Sequence, residues 1–384
     1  DKNRVYVSGY LGRDVFSFDQ SQGFDWGNRT ATVRWNHLYG NKLFSNFSAF
    51  YSNYDYGFSF GTNKLDKFDW AAEVSTWNFK PEFNWFLNVN NELTFGGEAI
   101  LYGFEPANAS SVNNGIRTDI SLDRRKALET AVYLSNDQKL SKKLFAQYGV
   151  RFSYFNNLGG SLMTYGDTLA GVEKPLLSVT EKGDWESIAS YQNVEPRASL
   201  RYQLSESSSL KASYNRMSQY IHQISNTTAS TPIDIWQPSD NNIAPQMGNQ
   251  VAMGYFRNIG GKRFETSAEV YYKWNKNQVD YIDGAELFIN EFIASQLLSG
   301  VGRAYGLELY VKKNAGRLTG WVSYTLGKSE LKVDGIKYGD DRKNREGNWY
   351  ATRFDQRHNL KVAGFYDLTE RVSLSANFSF MSGT

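Results

Sequence analysis

The sequence contains no cysteine and only three histidines among its 384 residues. Without cysteine there can be no disulfide framework, no thiolate metal site and no thiol nucleophile. The histidines His37, His222 and His358 lie in separate segments and show none of the spacings that mark a metal site. We therefore predict no metal site, no cofactor and no catalytic residues, so the chain is not expected to be an enzyme.

The sequence also lacks an excess of one charge. Lysine and arginine total 42, aspartate and glutamate total 40, and the formal net charge is +2. A balance this close to zero gives no electrostatic reason to expect a nucleic acid as a partner.

Long apolar runs are missing as well, since no stretch approaches the ~18 residues of a transmembrane helix. Aromatic residues, in contrast, make up 16% of the chain, although the mean hydropathy is −0.53. A transmembrane β-barrel has this composition, because it needs only an apolar outer band and aromatic girdles around a wet interior. The absence of membrane helices therefore does not exclude a membrane protein.

Apolar and polar residues alternate along much of the chain, which predicts β-strands with two different faces. The alternation is unbroken in "RVSLSANFSF" (residues 371–380), and in "LFAQYGVRFSY" (residues 144–154) it runs from residue 146 to residue 154. In a transmembrane barrel the apolar parity meets lipid and the polar parity meets the lumen. The residues predicted to face lipid in the last strand are Val372, Leu374, Ala376 and Phe378.

Short polar turns alternate with longer links, which predicts an antiparallel meander of about fifteen strands. Outer-membrane barrels have this layout, with short periplasmic turns and long extracellular loops. A soluble propeller would instead repeat at about 40–50 residues with a common signature, and no such signature recurs. The turns are predicted near residues 39–42, 88–91, 140–143, 205–208, 259–262, 314–317 and 368–371, and the links at 19–23, 61–69, 107–125, 159–186, 225–247, 283–302 and 331–353.

Fifteen is an odd number, whereas bacterial single-chain barrels close with an even number of strands. We therefore expect residues 1–384 to be a partial outer-membrane β-barrel domain from which some strands are missing. The predicted fold class is all-β, a transmembrane antiparallel β-barrel.

Five stretches of the second half resemble the C-terminal barrel of TonB-dependent outer-membrane receptors. The resemblance implies a barrel of about 22 strands, filled by an N-terminal plug that contacts the TonB complex and is absent from this sequence. It also implies the outer membrane of a Gram-negative bacterium, with outer-membrane lipid around the barrel. The stretches are "GNQVAMGYFRN" (248–258), "NQVDYIDGAELFINE" (277–291), "GRAYGLELYVKK" (302–313), "LTGWVSYTLGKSE" (318–330) and "FDQRHNLKVAGFYDLTERVSLSANF" (354–378).

The function that the resemblance implies is active import of a scarce nutrient, such as a siderophore, a corrinoid or a glycan, powered by TonB. Some members of this family pair with a surface lipoprotein, so such a partner is a further expectation. Two alternatives stay open: a passive porin-like channel, and a structural barrel subunit of an envelope complex.

Two groups of residues are candidates for function. Aromatic side chains in or beside the long links could stack on a ligand at the outer end of the barrel. A second group, in the "FDQRHN" stretch, shares the lumen parity and is predicted to form a polar network at the rim. The candidates for ligand contact are Trp185, Tyr191, Tyr220, His222, Trp236, Tyr338, Trp349 and Tyr350, and the rim residues are Asp355, Arg357, Asn359 and Lys361.

Overall fold

The computed structural model describes residues 2–18, 21–63, 66–167, 172–224, 235–282, 284–286, 290–334 and 348–383. Almost all regular structure in these ranges is β-strand, and one short 3-10 helix occurs at Ile293–Gln296. Within the ranges described, no helix has the length and apolar character that crossing a membrane requires.

The described residues form nineteen strands, of which fifteen are ten residues or longer. In chain order the strands are β1 (Asn3–Ser17), β2 (Gln22–Leu38), β3 (Leu43–Asn63), β4 (Asp66–Asn88), β5 (Asn91–Asn113), β6 (Ile116–Ser121), β7 (Arg125–Lys139), β8 (Leu144–Tyr165), β9 (Leu176–Ser205), β10 (Ser208–Gln219), β11 (Ile221–Ile224), β12 (Ile235–Pro238), β13 (Gln246–Ile259), β14 (Phe264–Tyr281), β15 (Leu297–Lys313), β16 (Leu318–Val333), β17 (Tyr350–Ala351), β18 (His358–Thr369) and β19 (Val372–Met381).

The fifteen long strands form one antiparallel meander in which each pairs with the next long strand along the chain. The short strands β6 and β17 extend the ladders of β5 and β16. The strands β11 and β12 pair only with each other, so that β10 continues directly into a ladder with β13. The predicted all-β meander and its number of long strands are therefore confirmed.

The seven short turns lie where the sequence predicts them, and local side chains stabilise several of them. At the turn between β4 and β5, the side chain of Asn88 accepts a hydrogen bond from the backbone amide of Asn90 at 2.9 Å. Between β7 and β8, the hydroxyl of Ser141 accepts from the amides of Lys143 and Leu144 at 3.2 and 3.0 Å. Such bonds replace backbone partners that the ladder cannot supply at its end.

Several of the long links are shorter than predicted, because the strands continue into them as extended hairpins, whereas the connections between β10 and β13 and between β16 and β18 are not shortened. The interval 159–186 was expected to be a loop, yet β8 reaches Tyr165 and β9 starts at Leu176. The register shifts at Gly159 and Gly160, whose φ angles of +73° and +83° suit glycine. This bulge bends the ladder without ending it, so a glycine pair that resembles a loop signal marks a bend within a hairpin.

The two faces of the sheet differ as the alternation predicts. On β8, Val150 and Phe152 are 43% and 41% exposed, whereas Ser153 and Phe155 are fully buried. The strand register continues the exposed parity across the sheet: Phe152 lies opposite Val132 on one side and Val194 on the other. An apolar band therefore runs across neighbouring strands on one face.

The same face includes the last strand. Phe378 of β19 lies opposite Val362 of β18, and Val362 lies opposite Val322 of β16. Val322 in turn lies opposite Val311 of β15. Val322 and Val311 are exposed apolar residues, as Phe378 is. This register supports the predicted outward orientation of Phe378.

The assignment of the two faces predicts different costs for two neighbouring substitutions in β9. We expect Leu200→Arg to destabilise the barrel by about 1–3 kcal/mol, because the charge would enter the apolar outer band between its centre and its short-turn edge. Ser199→Arg should cost much less, because Ser199 has the opposite parity and lines a lumen cavity of about 420 Å³. Urea titration followed by cold SDS electrophoresis of the full-length protein measures the folded fraction. Equal losses for the two variants would contradict the assignment.

Candidate functional site

A hairpin lies inside the barrel, against its inner wall. It comprises the described residues 220–224 and 235–243, with β11 and β12 as its two strands, and is called the inner hairpin below. Tyr220 stacks on Phe155 of β8, with ring centroids 4.7 Å apart and an interplanar angle of 1°. Phe104 of β5 and Ala127 of β7 complete this buried cluster. The inner hairpin is therefore packed on the lumen face of three neighbouring strands.

The sheet curls around the inner hairpin. Trp236 packs against the cluster that contains Tyr56 and Trp70, whereas the adjacent Ile235 shares a cluster with Leu297 of β15. Eight intervals between neighbouring strands separate β4 from β15, which is about 38 Å in a flat sheet. Two consecutive residues can reach both parts of the sheet only if the sheet curves strongly around them.

The carboxylate of Asp240 is the main polar anchor of the inner hairpin. One oxygen accepts a hydrogen bond from Arg125 Nη1 at 3.2 Å, and the side chains of Asp240 and Arg125 are only 5% and 14% exposed. The other oxygen accepts from the backbone amides of Asn242 and Ile243 at 2.8 and 2.9 Å. The buried charge is thus both paired and hydrogen-bonded, which a carboxylate in this position requires.

Hydrogen bonds between side chains and backbone carbonyls join the inner hairpin to the wall. The amide nitrogen of Asn157 donates to the carbonyl of Ser239 at 3.0 Å, and the hydroxyl of Tyr191 donates to the carbonyl of Asp240 at 2.6 Å. The side chain of Asn242 donates to the carbonyl of Met163 at 3.0 Å. Strands β8 and β9 therefore fix the hairpin through specific hydrogen bonds as well as apolar packing.

His222 lies on β11 of the inner hairpin, and its side chain is only 2% exposed. Its Nε2 is 2.8 Å from Oγ of Ser239, whose backbone amide donates to the carbonyl of Tyr220 at 2.7 Å. Burial lowers the pKa of His222 to about 4, an effect that the charge of Asp240 opposes only in part. The ring is therefore neutral at pH 7.

Two other links contact the inner hairpin or lie beside it. Its residues Ile224, Ile235 and Ile243 form an apolar cluster with Ile293 and Leu297. Lys174, in the link between β8 and β9, lies beside this cluster, and its Nζ donates to the carbonyl of Leu297 at 2.7 Å.

The structure brings together four of the eight candidates for ligand contact, namely Tyr191, Tyr220, His222 and Trp236. Nothing in the alternation of residues predicts this grouping, because it depends on how one link folds back into the lumen. A weak signal exists in the two short apolar segments "IHQI" and "IWQP", which form the strands of the hairpin.

The other candidates for ligand contact lie apart from this group. Trp185 is 64% exposed on the outer part of β9, with Nζ of Lys126 5.0 Å from its ring centroid. Trp349 lies under the guanidinium of Arg303 at 4.1 Å, and the hydroxyl of Tyr350 donates to Asp280 at 2.6 Å. Tyr338 lies outside the described residues. Ligand contact by any of the eight stays a prediction.

The four rim residues occupy the start of β18 and the segment before it. Asp355 is buried and accepts a hydrogen bond from the backbone amide of Ser329 at 2.6 Å, while Asn359 donates to Gln356 at 3.1 Å. The carbonyl of Arg357 accepts from the amide of Gly327 at 3.0 Å, and Lys361 is exposed. These contacts tie the segment to β16, and the role of the four as a rim network stays a prediction.

Sequence reasoning missed a charge cluster on the inner wall. Arg151 donates to Glu98 and Glu129 at 2.8 Å each, across β5, β7 and β8. Next to it, the hydroxyl of Ser153 donates to Glu195 at 2.8 Å and lies 2.7 Å from that of Tyr220. The signal was present, because charged residues of opposite sign occupy the lumen parity of neighbouring strands, but their partners require the register.

A cavity of about 670 Å³ opens on the inner wall of β1 to β6. Carboxylates and guanidinium groups line it in pairs: Arg13 contacts both Asp25 and Asp55, and Arg117 contacts Asp119 at 2.8 Å. The lining therefore offers donors and acceptors of both charges but carries an excess of carboxylates, because only Arg13 and Arg117 oppose six acidic side chains: Asp25, Asp55, Asp69, Glu73, Glu105 and Asp119.

The buried anchor predicts that Asp240→Asn loosens the inner hairpin while the barrel stays folded. Removing one partner of a buried ion pair costs about 3–5 kcal/mol, and the lost contact is local to the hairpin. We expect cleavage by chymotrypsin after Trp236 to accelerate at least about tenfold, as measured by mass spectrometry of the fragment that starts at Gln237. Asp184→Asn is the control, because Asp184 is 82% exposed in its pair with Lys126 and should leave cleavage unchanged. Equal rates for Asp240→Asn and the unmodified protein would show that the ion pair does not anchor the hairpin.

Comparison with known structures shows the same fold. The crystal structure of the ferric-catecholate import receptor Fiu from E. coli K12 is 14% identical, with a TM-score of 0.65, covering 94% of this chain and 54% of that one. The siderophore receptor PiuA from Acinetobacter baumannii is 12% identical, with a TM-score of 0.70 and coverages of 99% and 62%. The ferric citrate transporter FecA is 14% identical, with a TM-score of 0.65 and coverages of 95% and 50%.

At these identities the likeness shows the barrel fold alone, and the chain spans between half and two thirds of the length of these three structures. No curated protein matches the sequence. The family model described as "TonB dependent receptor-like, beta-barrel" matches residues 1–383. The chain therefore belongs to the family of TonB-dependent receptor-like β-barrels.

Proposed function

We propose that this chain is the barrel of an outer-membrane receptor that imports a scarce nutrient with energy delivered through TonB. The observation that carries the proposal is the family match over residues 1–383. The apolar band on the outer face supports an outer-membrane location with lipid around the barrel. Energy transfer requires a plug that contacts TonB, which we assign to a part of the protein outside this sequence.

The chemistry of the inner wall supports a lumen filled by a polypeptide. Arg151 is paired with Glu98 and Glu129, while polar side chains such as Asn78 and Ser153 lie buried nearby. A wall that carries both charges can hold a polar plug through hydrogen bonds and bridging water. A strongly charge-selective pore would instead show an excess of one sign over the whole chain, whereas lysine and arginine total 42 here and aspartate and glutamate total 40.

For the substrate we propose an organic complex of iron, with a corrinoid and a glycan as the other classes. Fiu and FecA are described as receptors for ferric complexes, which makes this class the first to test. Two regions are candidates for its binding: the aromatic group of Tyr191, Tyr220 and Trp236, and the cavity lined by Arg13 and Asp55. Aromatic faces and paired charges are both suited to hold a large polar ligand.

A transport assay in cells that express the full-length protein as their only route for the probe tests the proposal. The three probes are a ferric catecholate, a cobalamin and a maltooligosaccharide, each radiolabelled. We expect one probe to bind at the cell surface and to be imported, and we expect a protonophore to abolish import while surface binding persists.

Import that continues unchanged in the presence of the protonophore would contradict active transport and favour the passive porin-like channel. Absence of both binding and import for all three probes, with a folded protein at the cell surface, would favour a structural subunit of an envelope complex.

A further inference from the structure

We propose that the inner hairpin is a latch that acid releases: protonation of His222 detaches the hairpin from the inner wall and opens the outer end of the lumen. The proposal rests on the fold and goes beyond nutrient import, because it concerns a control of access that acts without a ligand.

The surroundings of His222 fit a neutral ring only. With its hydrogen on Nε2, the ring donates to Oγ of Ser239 at 2.8 Å. Nδ1 then carries a lone pair, and this buried atom has no hydrogen-bond partner among the described residues. Protonation would place a second N–H at Nδ1 without an acceptor, together with a positive charge in a site that water does not reach. Both changes are unfavourable in a buried position.

Neighbouring groups do not compensate this charge. Asp240 is the charged group that acts on His222, but its carboxylate is already engaged by Arg125 at 3.2 Å and by two backbone amides. The titratable side chains Tyr191 and Tyr220 are phenols, which stay neutral between pH 5 and 8. The hydroxyl of Tyr191 donates to the carbonyl of Asp240, and that of Tyr220 contacts Ser153 and Asn193. None of these groups is free to accept a hydrogen bond from the protonated Nδ1 of His222.

The sign of the pH effect follows from the two states of the hairpin. In the docked state burial lowers the pKa of His222 to about 4, whereas the released residue has its ordinary pKa of 6.5. The docked state therefore binds fewer protons, so its stability is complete above pH 6.5 and declines as the pH falls towards 4. At pH 5 the ratio of released to docked hairpin should be about 20-fold higher than at pH 7.

Release would change access to the lumen, because the hairpin joins several parts of the outer end. Its apolar residues pack with Ile293 of the β14–β15 link and with Leu297 of β15, and Trp236 packs against the cluster that contains Tyr56 and Trp70. Loss of the contacts around Ser239 and Asp240 removes the polar anchors that hold these surfaces together. The outer end would then open on the side of β8 and β9.

Single cysteine reporters in the full-length protein test the proposal directly, because residues 1–384 contain no native cysteine and any cysteine outside them is replaced with serine beforehand. The variant Ile243→Cys places a thiol in the buried apolar cluster, and Ser178→Cys places one on an exposed position of β9 as the control. Both are labelled with a membrane-impermeant maleimide on outer-membrane vesicles at pH 7.5 and 5.0. The ratio of the two rates removes the intrinsic pH dependence of the reagent.

We expect this ratio to rise at least about tenfold from pH 7.5 to 5.0, and to stay constant in the His222→Gln background, where the side chain does not titrate. A constant ratio with His222 present would overturn the proposal, as would an equal rise in the His222→Gln background. If Ile243→Cys reacts at the exposed rate at pH 7.5, the reporter itself has released the hairpin. The same comparison with Ile224→Cys then decides by the same two criteria.

Discussion

The pairing of backbone amides and carbonyls between neighbouring strands is the constraint on which the rest of this structure depends. In a lipid bilayer an unpaired backbone group has no water to bind, so each strand must be bonded on both sides. The thirteen long strands from β2 to β18 meet this requirement through antiparallel ladders on both sides, whereas β1 and β19 are each paired on one side among the described residues. Once the ladders are fixed, alternate side chains must face opposite solvents, and the composition of the chain follows from that division.

The inner face shows what a protected lumen can hold. Asp240 is kept as a buried carboxylate because Arg125 and two backbone amides satisfy it. Arg151 of β8 is held by Glu98 of β5 and Glu129 of β7. These groups fix positions on the wall with directional bonds, whereas the outer face presents exposed apolar side chains, which need no such precision. Directional polar contacts are therefore concentrated on the inner face.

Much of the fold follows from the sequence, because strand parity and tight turns are local properties. The alternation at residues 144–154 assigns Val150 and Phe152 to one face and Ser153 to the other, and the seven short turns lie as predicted. The sequence predicts a loop at 159–186, but the glycine pair with positive φ bends the β8–β9 ladder there without ending it. Local signals thus fix the crossing strands better than the hairpins beyond them.

The candidate site could be predicted only in part. Aromatic residues near the long links were identifiable from position, and four of them do meet. Their meeting depends on the return of residues 235–243 into the lumen, where Asn157 and Tyr191 bind backbone carbonyls of Ser239 and Asp240. These are contacts between parts of the chain 49 and 82 residues apart, and no local pattern encodes such a pairing.

A cysteine scan along β8 would test the central claim, which is that one sheet separates lipid from a polar lumen. Single cysteines at successive positions from Tyr148 to Phe155 would each carry a fluorophore, in the full-length protein reconstituted with lipids that bear a quencher in their acyl chains. The account predicts strong quenching at even-numbered positions, such as Val150 and Phe152, and weak quenching at odd-numbered ones, such as Ser153. Quenching that is uniform along the strand, or that is stronger at the odd-numbered positions, would contradict it.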